Sequence, residues 1–294
     1  MKKEFALFIV CMFSGYLFAG DSNPYKPDNT APHRLKDYKL SWNDEFNING
    51  KPDSKNWKYE NGLQRNHELQ WYQKENTSCK GGVLRIEGRR EKFANPRYDK
   101  GSNDWKKSCD SINYTSSSIN SEGIHSWLYG RFEIRARIPA VKGSWPAIWT
   151  LGVDQPWPSN GEIDMMEFYQ INGIPSILAY AAWGTGKQYI AKWDGSNLAL
   201  THFTGKDKNW AEKFHIWRMD WDKDFVRLYL DDELLNEIDL SQTINPDGFN
   251  PFHQAHYILL NLALGGDNGG DPSQTVFPIV YEIDYVRVYQ KQLP

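Results

Sequence analysis

From Arg131 to Ile138 the chain alternates without a break. Arg131, Glu133, Arg135 and Arg137 share one parity, and Phe132, Ile134, Ala136 and Ile138 share the other. A two-residue period belongs to an extended strand, whose successive side chains point to opposite faces. Other segments read the same way. Phe225 to Leu230 and Leu234 to Ile238 flank the acidic pair Asp231-Asp232 and predict a hairpin. Tyr257 to Leu264 and Tyr281 to Tyr289 are aliphatic and aromatic strands, and no window keeps a helical period for more than two turns. Frequent strands separated by Gly, Asn and Pro clusters predict an all-β chain folded as an antiparallel sandwich of two stacked sheets.

Before these strands, Lys2 and Lys3 precede a mostly apolar run from Phe5 to Phe18 and small residues at Ala19 and Gly20. That order reads as a secretory leader over residues 1–20, so an exported protein is expected, periplasmic, cell-surface or extracellular. The run is too short to span a bilayer comfortably, and no other stretch of that length is apolar. Residues 21–36, rich in Pro, Asn and Asp, predict a loose lead-in to a single domain over 37–294, since no linker divides the rest. Cys11 lies in the leader. Cys79 and Cys109 remain, and in an oxidising compartment they could pair, closing a loop of about 30 residues worth roughly 3 kcal/mol, or stay free thiols. Net charge is −3 with both signs interspersed, which gives no electrostatic footprint for nucleic acid or a membrane surface. With 15% aromatic residues the chain suits a strand-rich core or a surface that stacks on flat ligands such as sugar rings. A neutral substrate fits best.

Three carboxylates stand within six residues at Glu162-Ile163-Asp164-Met165-Met166-Glu167. Strict alternation puts Glu162 and Asp164 on one face and Glu167 on the other, unless one extra residue at Met165-Met166 forms a bulge that returns Glu167 to the acidic side. Three acids on one face could hold calcium, face solvent, or perform glycoside hydrolysis, which needs one carboxylate to attack the anomeric carbon and one acid to protonate the leaving oxygen. Upstream, alternation gives Trp145, Ala147 and Trp149 a common face, with a gap over Ala147 where sugar rings could stack between the indoles or where core packing could bury them. Asn66, His67, Glu68, Gln70 and Trp71 form a second polar and aromatic cluster, suited to sugar hydroxyls or to a solvated loop. Asn261 shares a face with Tyr257 and Leu259, and a buried amide there needs a partner.

Read together, Gly143-Ser144-Trp145-Pro146-Ala147-Ile148-Trp149 and Asn160-Gly161-Glu162-Ile163-Asp164-Met165-Met166-Glu167 resemble glycoside hydrolase family 16. The likeness continues at Trp42-Asn43-Asp44-Glu45-Phe46, at Asn66 with Glu68-Leu69-Gln70, at Leu259 to Ala263 with Gly265-Gly266, and at Ile283 to Tyr289, from about Lys39 to Gln290. It implies a β-jelly-roll with a concave cleft and an endo-acting, retaining hydrolase of β-linked polysaccharide, working as a monomer without a catalytic cofactor. By position, Glu162 resembles the nucleophile, Glu167 the acid/base and Asp164 the assisting carboxylate. Asn66, Glu68, Trp145, Trp149, Trp183 and Asn261 are the substrate contacts implied. The two-residue spacer Met165-Met166 is the form of laminarinase-like and galactanase-like members, which directs expectation to glucans with β-1,3 linkages. A β-galactanase, a transglycosylase and a non-catalytic lectin are the alternatives. Many members hold a structural calcium, for which Glu45 and Asp284 occupy the matching positions. The segment Ile177 to Trp183 departs from members that carry a His at this stage of the chain.

Overall fold

The computed structural model describes residues 23–292. The leader expected at 1–20, with Cys11, lies outside the described residues. Two sheets stack as the expected sandwich. One follows the order Ala191–Ala199, Ile174–Gly184, Glu162–Ile171, Ser144–Gly152, His256–Leu264, Ser118–Asn120 and Lys58–Tyr59. The other centres on Gly130–Arg137 and Ile279–Lys291, flanked on one side by His215–Trp221, Phe225–Leu230 and Glu233–Asp239 and on the other by Leu84–Ala94 and Ser111–Ser116. Among the described residues no α-helix exceeds four residues. The predicted hairpin is present, with Asp231 taking the left-handed turn conformation at φ 53°.

Alternation decides which faces meet. Phe132, Ile134 and Ala136 from one sheet and Ile148, Ile163, Met165, Ile258 and Leu260 from the other are buried together, so the core lies between the sheets. The opposite face of the first sheet is the concave one. There the strand from Glu162 lies centrally, flanked by Ser144–Gly152 and Ile174–Gly184, and these three supply most of the polar floor described below.

The outer face of the second sheet is charged yet covered. Arg135 is 2% exposed and pairs with Asp284, also 2% exposed, while donating to the carbonyl oxygens of Asn23 and Lys26. Arg287 grips both oxygens of Glu45, at 2.9 and 2.7 Å, and donates to the carbonyl of Thr30. The amide of Asp28 donates to Asp284 Oδ2 at 2.9 Å. Residues 23–30 form no strand, but two buried guanidinium groups fasten their backbone to the sheet.

This arrangement does not fit the calcium expected at Glu45 and Asp284. A calcium ion takes six to eight oxygens, and each of these carboxylates already faces its own guanidinium, a cation that would repel the ion. Among the described residues no three His, Cys, Asp or Glu side chains gather as a metal site. The expected Cys79–Cys109 disulfide is also absent: both are free thiols. Cys79 packs in the main core at the end of Thr77–Cys79, whereas Cys109 joins the separate cluster of Leu63, Trp71 and Ile112, so different apolar groups hold the two apart.

Asp284→Ala strands Arg135 as a buried unpaired charge and removes the acceptor for Asp28, so denaturant unfolding is expected to show a loss of about 3–5 kcal/mol. Excess chelator should leave the melting temperature of the wild-type protein unchanged. A fall of several degrees on chelation, reversed by calcium, would show that an ion holds this face after all.

Candidate active site

The bulge anticipated at Met165-Met166 is present. Asp164 lies opposite Trp149, but Met166 lies opposite Ile148, so Met165 is the additional residue on that side. Against the other neighbour, Asp164 faces Tyr180 and Glu167 faces Leu178, with two residues spanning a single-residue gap. Both Met165 and Met166 are fully buried, and the extra residue restores Glu167 to the parity of Glu162 and Asp164. All three carboxyl groups line one cleft of about 1100 Å³.

Each outer carboxylate accepts an indole N–H. Trp157 Nε1 donates to Glu162 Oε2 at 2.5 Å, and Trp145 Nε1 donates to Glu167 Oε1 at 2.7 Å. Burial raises the pKa of all three acids, since the cleft floor solvates an anion poorly. Asp164 is pushed well above the carboxylate range by burial, then by the charges of Glu162 and Glu167, and last by a hydrogen bond to Glu162 that favours its protonated form. That hydrogen bond and the one from Trp157 pull Glu162 back toward the anion. Glu167 is pushed up to about 8 by burial, against the opposing Trp145 bond and with the help of charge from Glu162 and Glu68. Burial therefore raises all three acids, while Glu162 is the one drawn back toward the anion by two hydrogen bonds.

Of the expected contacts, Asn66, Glu68, Trp145, Trp149 and Asn261 all line the cleft, but their surroundings differ. Asn66 is exposed, at a left-handed φ of 54°. Trp149 is buried, its Nε1 donates to Asn261 Oδ1 at 2.7 Å, and the Arg65 guanidinium lies 5.1 Å over its ring. Asn261 completes its bonding by donating to Tyr72 Oη at 3.0 Å, so this amide holds two aromatic side chains in place. Glu68 is buried, with a pKa raised by burial to about 7, and accepts from Gln70 Nε2 at 2.7 Å. Trp183, expected to meet substrate, belongs instead to the core between the sheets. It sits one residue from Ala182, which pairs with Glu162, and a single step along a strand reverses the face.

Trp157, Arg65, Tyr72, Tyr180 and Trp193 also build the site without having been singled out in the sequence. Trp157 left the plainest trace. It stands in a Pro, Ser, Asn and Gly loop with no strand pattern of its own, so its indole had no place in a sheet core. Tyr180 and Trp193 are placed by pairing across strands, a relation that a single segment does not display.

Residues 57–287 match the sequence profile of Glycosyl hydrolases family 16. The chain is 34% identical over 284 residues to a β-glucanase of Rhodothermus marinus, covering 88% of this chain and 86% of that protein. The solved laminarinase of the same organism superposes with a TM-score of 0.70 at 34% identity, over 88% of this chain and 100% of that one. A structure from work on endo-acting O-glycanases, by which prominent members of the human gut microbiota initiate mucin breakdown, superposes with a TM-score of 0.79. It is 36% identical and covers 89% of this chain and 94% of that one.

Trp145→Phe deletes the N–H that favours the Glu167 anion, so the pKa of Glu167 should rise above its value in the wild-type protein, as read by carbon NMR of labelled glutamate across pH 5–10. Trp145→Ala also empties a buried site, and a stability loss of about 3–5 kcal/mol is expected. An unmoved Glu167 titration in Trp145→Phe would remove the indole from the electrostatics of the site.

Proposed function

This chain belongs to glycosyl hydrolases family 16, and we propose that it is an endo-acting, retaining β-glucanase that hydrolyses glucans containing β-1,3 linkages, laminarin and mixed-linkage β-1,3/1,4-glucan. The observation that carries the reading is the bulge that brings Glu162, Asp164 and Glu167 to one face of a strand in a single cleft, with Glu162 and Glu167 each accepting an indole N–H. Glycoside hydrolysis requires two such carboxyl groups, one to attack and one to give its proton, and burial pushes Glu167 up to about 8.

In the first step Glu162 attacks the anomeric carbon, the bond to the glycosidic oxygen breaks, and Glu167 delivers its proton to that oxygen. Now an anion, Glu167 then takes a proton from water, whose oxygen displaces Glu162 from the anomeric carbon. Two inversions give net retention. The Trp157 indole and Asp164, each donating a hydrogen bond to Glu162, favour the ionised nucleophile and orient it. Asn66 at the rim and Trp145 above Glu167 are the proposed substrate contacts, while Glu68, Trp149 and Asn261 shape the floor. The leader pattern supports action outside the cytoplasm, where a polymeric glucan is found. One chain supplies all the groups named, which supports a monomer.

A second reading is an endo-acting hydrolase of mucin-type O-glycan, favoured by the TM-score of 0.79 against 0.70 for the laminarinase. It uses the same carboxylates and differs in substrate. Incubation with laminarin, barley β-glucan, agarose, carboxymethyl cellulose and mucin O-glycan separates the two. The expected outcome is oligosaccharide release from laminarin and barley glucan and none from carboxymethyl cellulose. Activity confined to the O-glycan would establish the second reading.

Glu162→Ala should abolish turnover on every substrate. Glu167→Ala should retain activity on an aryl glycoside whose leaving group needs no proton, and azide should accelerate it as a β-glycosyl azide forms. In the wild-type protein kcat/KM should fall as pH rises through about 8, where Glu167 loses its proton. Inverted configuration in the first product, seen by proton NMR, would refute the assignment.

A further inference from the structure

Beyond the carboxylates the concave face continues to a free edge, and the residues on it are unusual. Glu162 pairs with Ala182, and Ala182 pairs with Trp193 on Ala191–Ala199, so the three share one row on the cleft side. One row along, Asp164 pairs with Tyr180 and Tyr180 with Gly195. Neighbouring strands are spaced about 4.8 Å apart, which sets the Trp193 backbone roughly 10 Å from that of Glu162 with only an alanine methyl between them.

Trp193 is 52% exposed on an edge strand and lines the same cleft as the carboxylates. Its orientation is built. The Tyr180 ring meets it edge-on, 6.2 Å away at 90°, and the Tyr180 hydroxyl accepts from Asn197 Nδ2 at 3.2 Å. Tyr180 lies across Gly195 so closely that a Cβ there would fall 1.4 Å from its Cδ1, so only glycine admits this ring. Tyr189, 72% exposed, lines the same end of the cleft.

We propose that Ala182, Tyr180 and Trp193 form a sugar-binding shelf next to the cleavage point. One pyranose ring of the substrate chain lies over Ala182 and sets its C–H face against the Trp193 indole, which Tyr180 holds upright. Trp193 supplies the contact, and Gly195 is the positioning residue that makes room for Tyr180. The shelf rests on the β-glucanase reading and adds to it a determinant of chain recognition.

The test compares Trp193→Ala, Trp193→Phe and Gly195→Ala with the wild-type enzyme on laminarihexaose, with the melting temperature of each variant measured alongside its kinetics. Trp193→Ala should raise KM roughly tenfold, the worth of one aromatic contact, and by much more than it lowers kcat. Trp193→Phe should recover most of that loss. Gly195→Ala should imitate Trp193→Ala, because Tyr180 is displaced although Trp193 remains. A purely structural edge residue would change the melting temperature and leave KM alone. Wild-type KM in Trp193→Ala and Gly195→Ala would overturn the shelf. If the wild-type enzyme leaves laminarihexaose intact, the glucan reading fails by itself. The same variants on the glycan that is cut then decide the shelf, with an unmoved KM overturning it.

Discussion

One extra residue in one strand is the constraint on which the site depends. With strict alternation the strand from Glu162 would bury a carboxylate at position 167 in an apolar core, at a cost that no neighbour there offsets. The bulge at Met165-Met166 turns that conflict into an acidic face, since both methionines enter the core while Glu167 joins Glu162 and Asp164 in the cleft. Methionine suits the task because its unbranched chain fills the irregular space that a bulge leaves.

Crowding three acids on a poorly hydrated floor sets their protonation. Burial raises all three, and the neighbours then treat each group differently. Asp164, pinched between two carboxylates, gives up its ability to ionise and becomes a hydrogen-bond donor. Trp157 and Trp145 apply equal chemistry to different acids: the first, together with the Asp164 bond, opposes the rise at Glu162, and the second alone moderates the rise at Glu167. Beneath them Trp149, Asn261 and Tyr72 form a chain of satisfied hydrogen bonds that fixes the floor. A site whose reacting groups are held this way loses little energy to reorganisation during the reaction.

On the far side of the sandwich, charge is used for fastening. Arg135 and Arg287 neutralise Asp284 and Glu45 and spend their remaining donors on carbonyl groups of residues 23–30. A planar guanidinium with five donors can do both at once. The concave face, by contrast, leaves its aromatic edge at Trp193 uncovered. The two outer surfaces thus divide into one closed by the chain's own segment and one left open.

Much of this was legible in the sequence because it is local. The period of two at Arg131 to Ile138 declared strands, three acids around two methionines declared a face and the bulge needed to complete it, and the shared parity of Trp145, Ala147 and Trp149 survives in the cleft. Burial was less legible, since alternation gives direction and not depth. Trp183 falls in the core, and Arg65 rather than open space lies over Trp149. Contacts between distant segments were not legible at all: Arg135 with Asp284, Tyr72 with Asn261, Tyr180 across Gly195, and the separation of Cys79 from Cys109. The sequence by itself determined the fold class and the acidic strand, because side-chain parity follows from backbone geometry within a few residues. Only the tertiary structure decided how far burial raises each carboxyl, which indole meets solvent and which acid meets a cation, because desolvation and pairing depend on neighbours that the chain brings together from far apart.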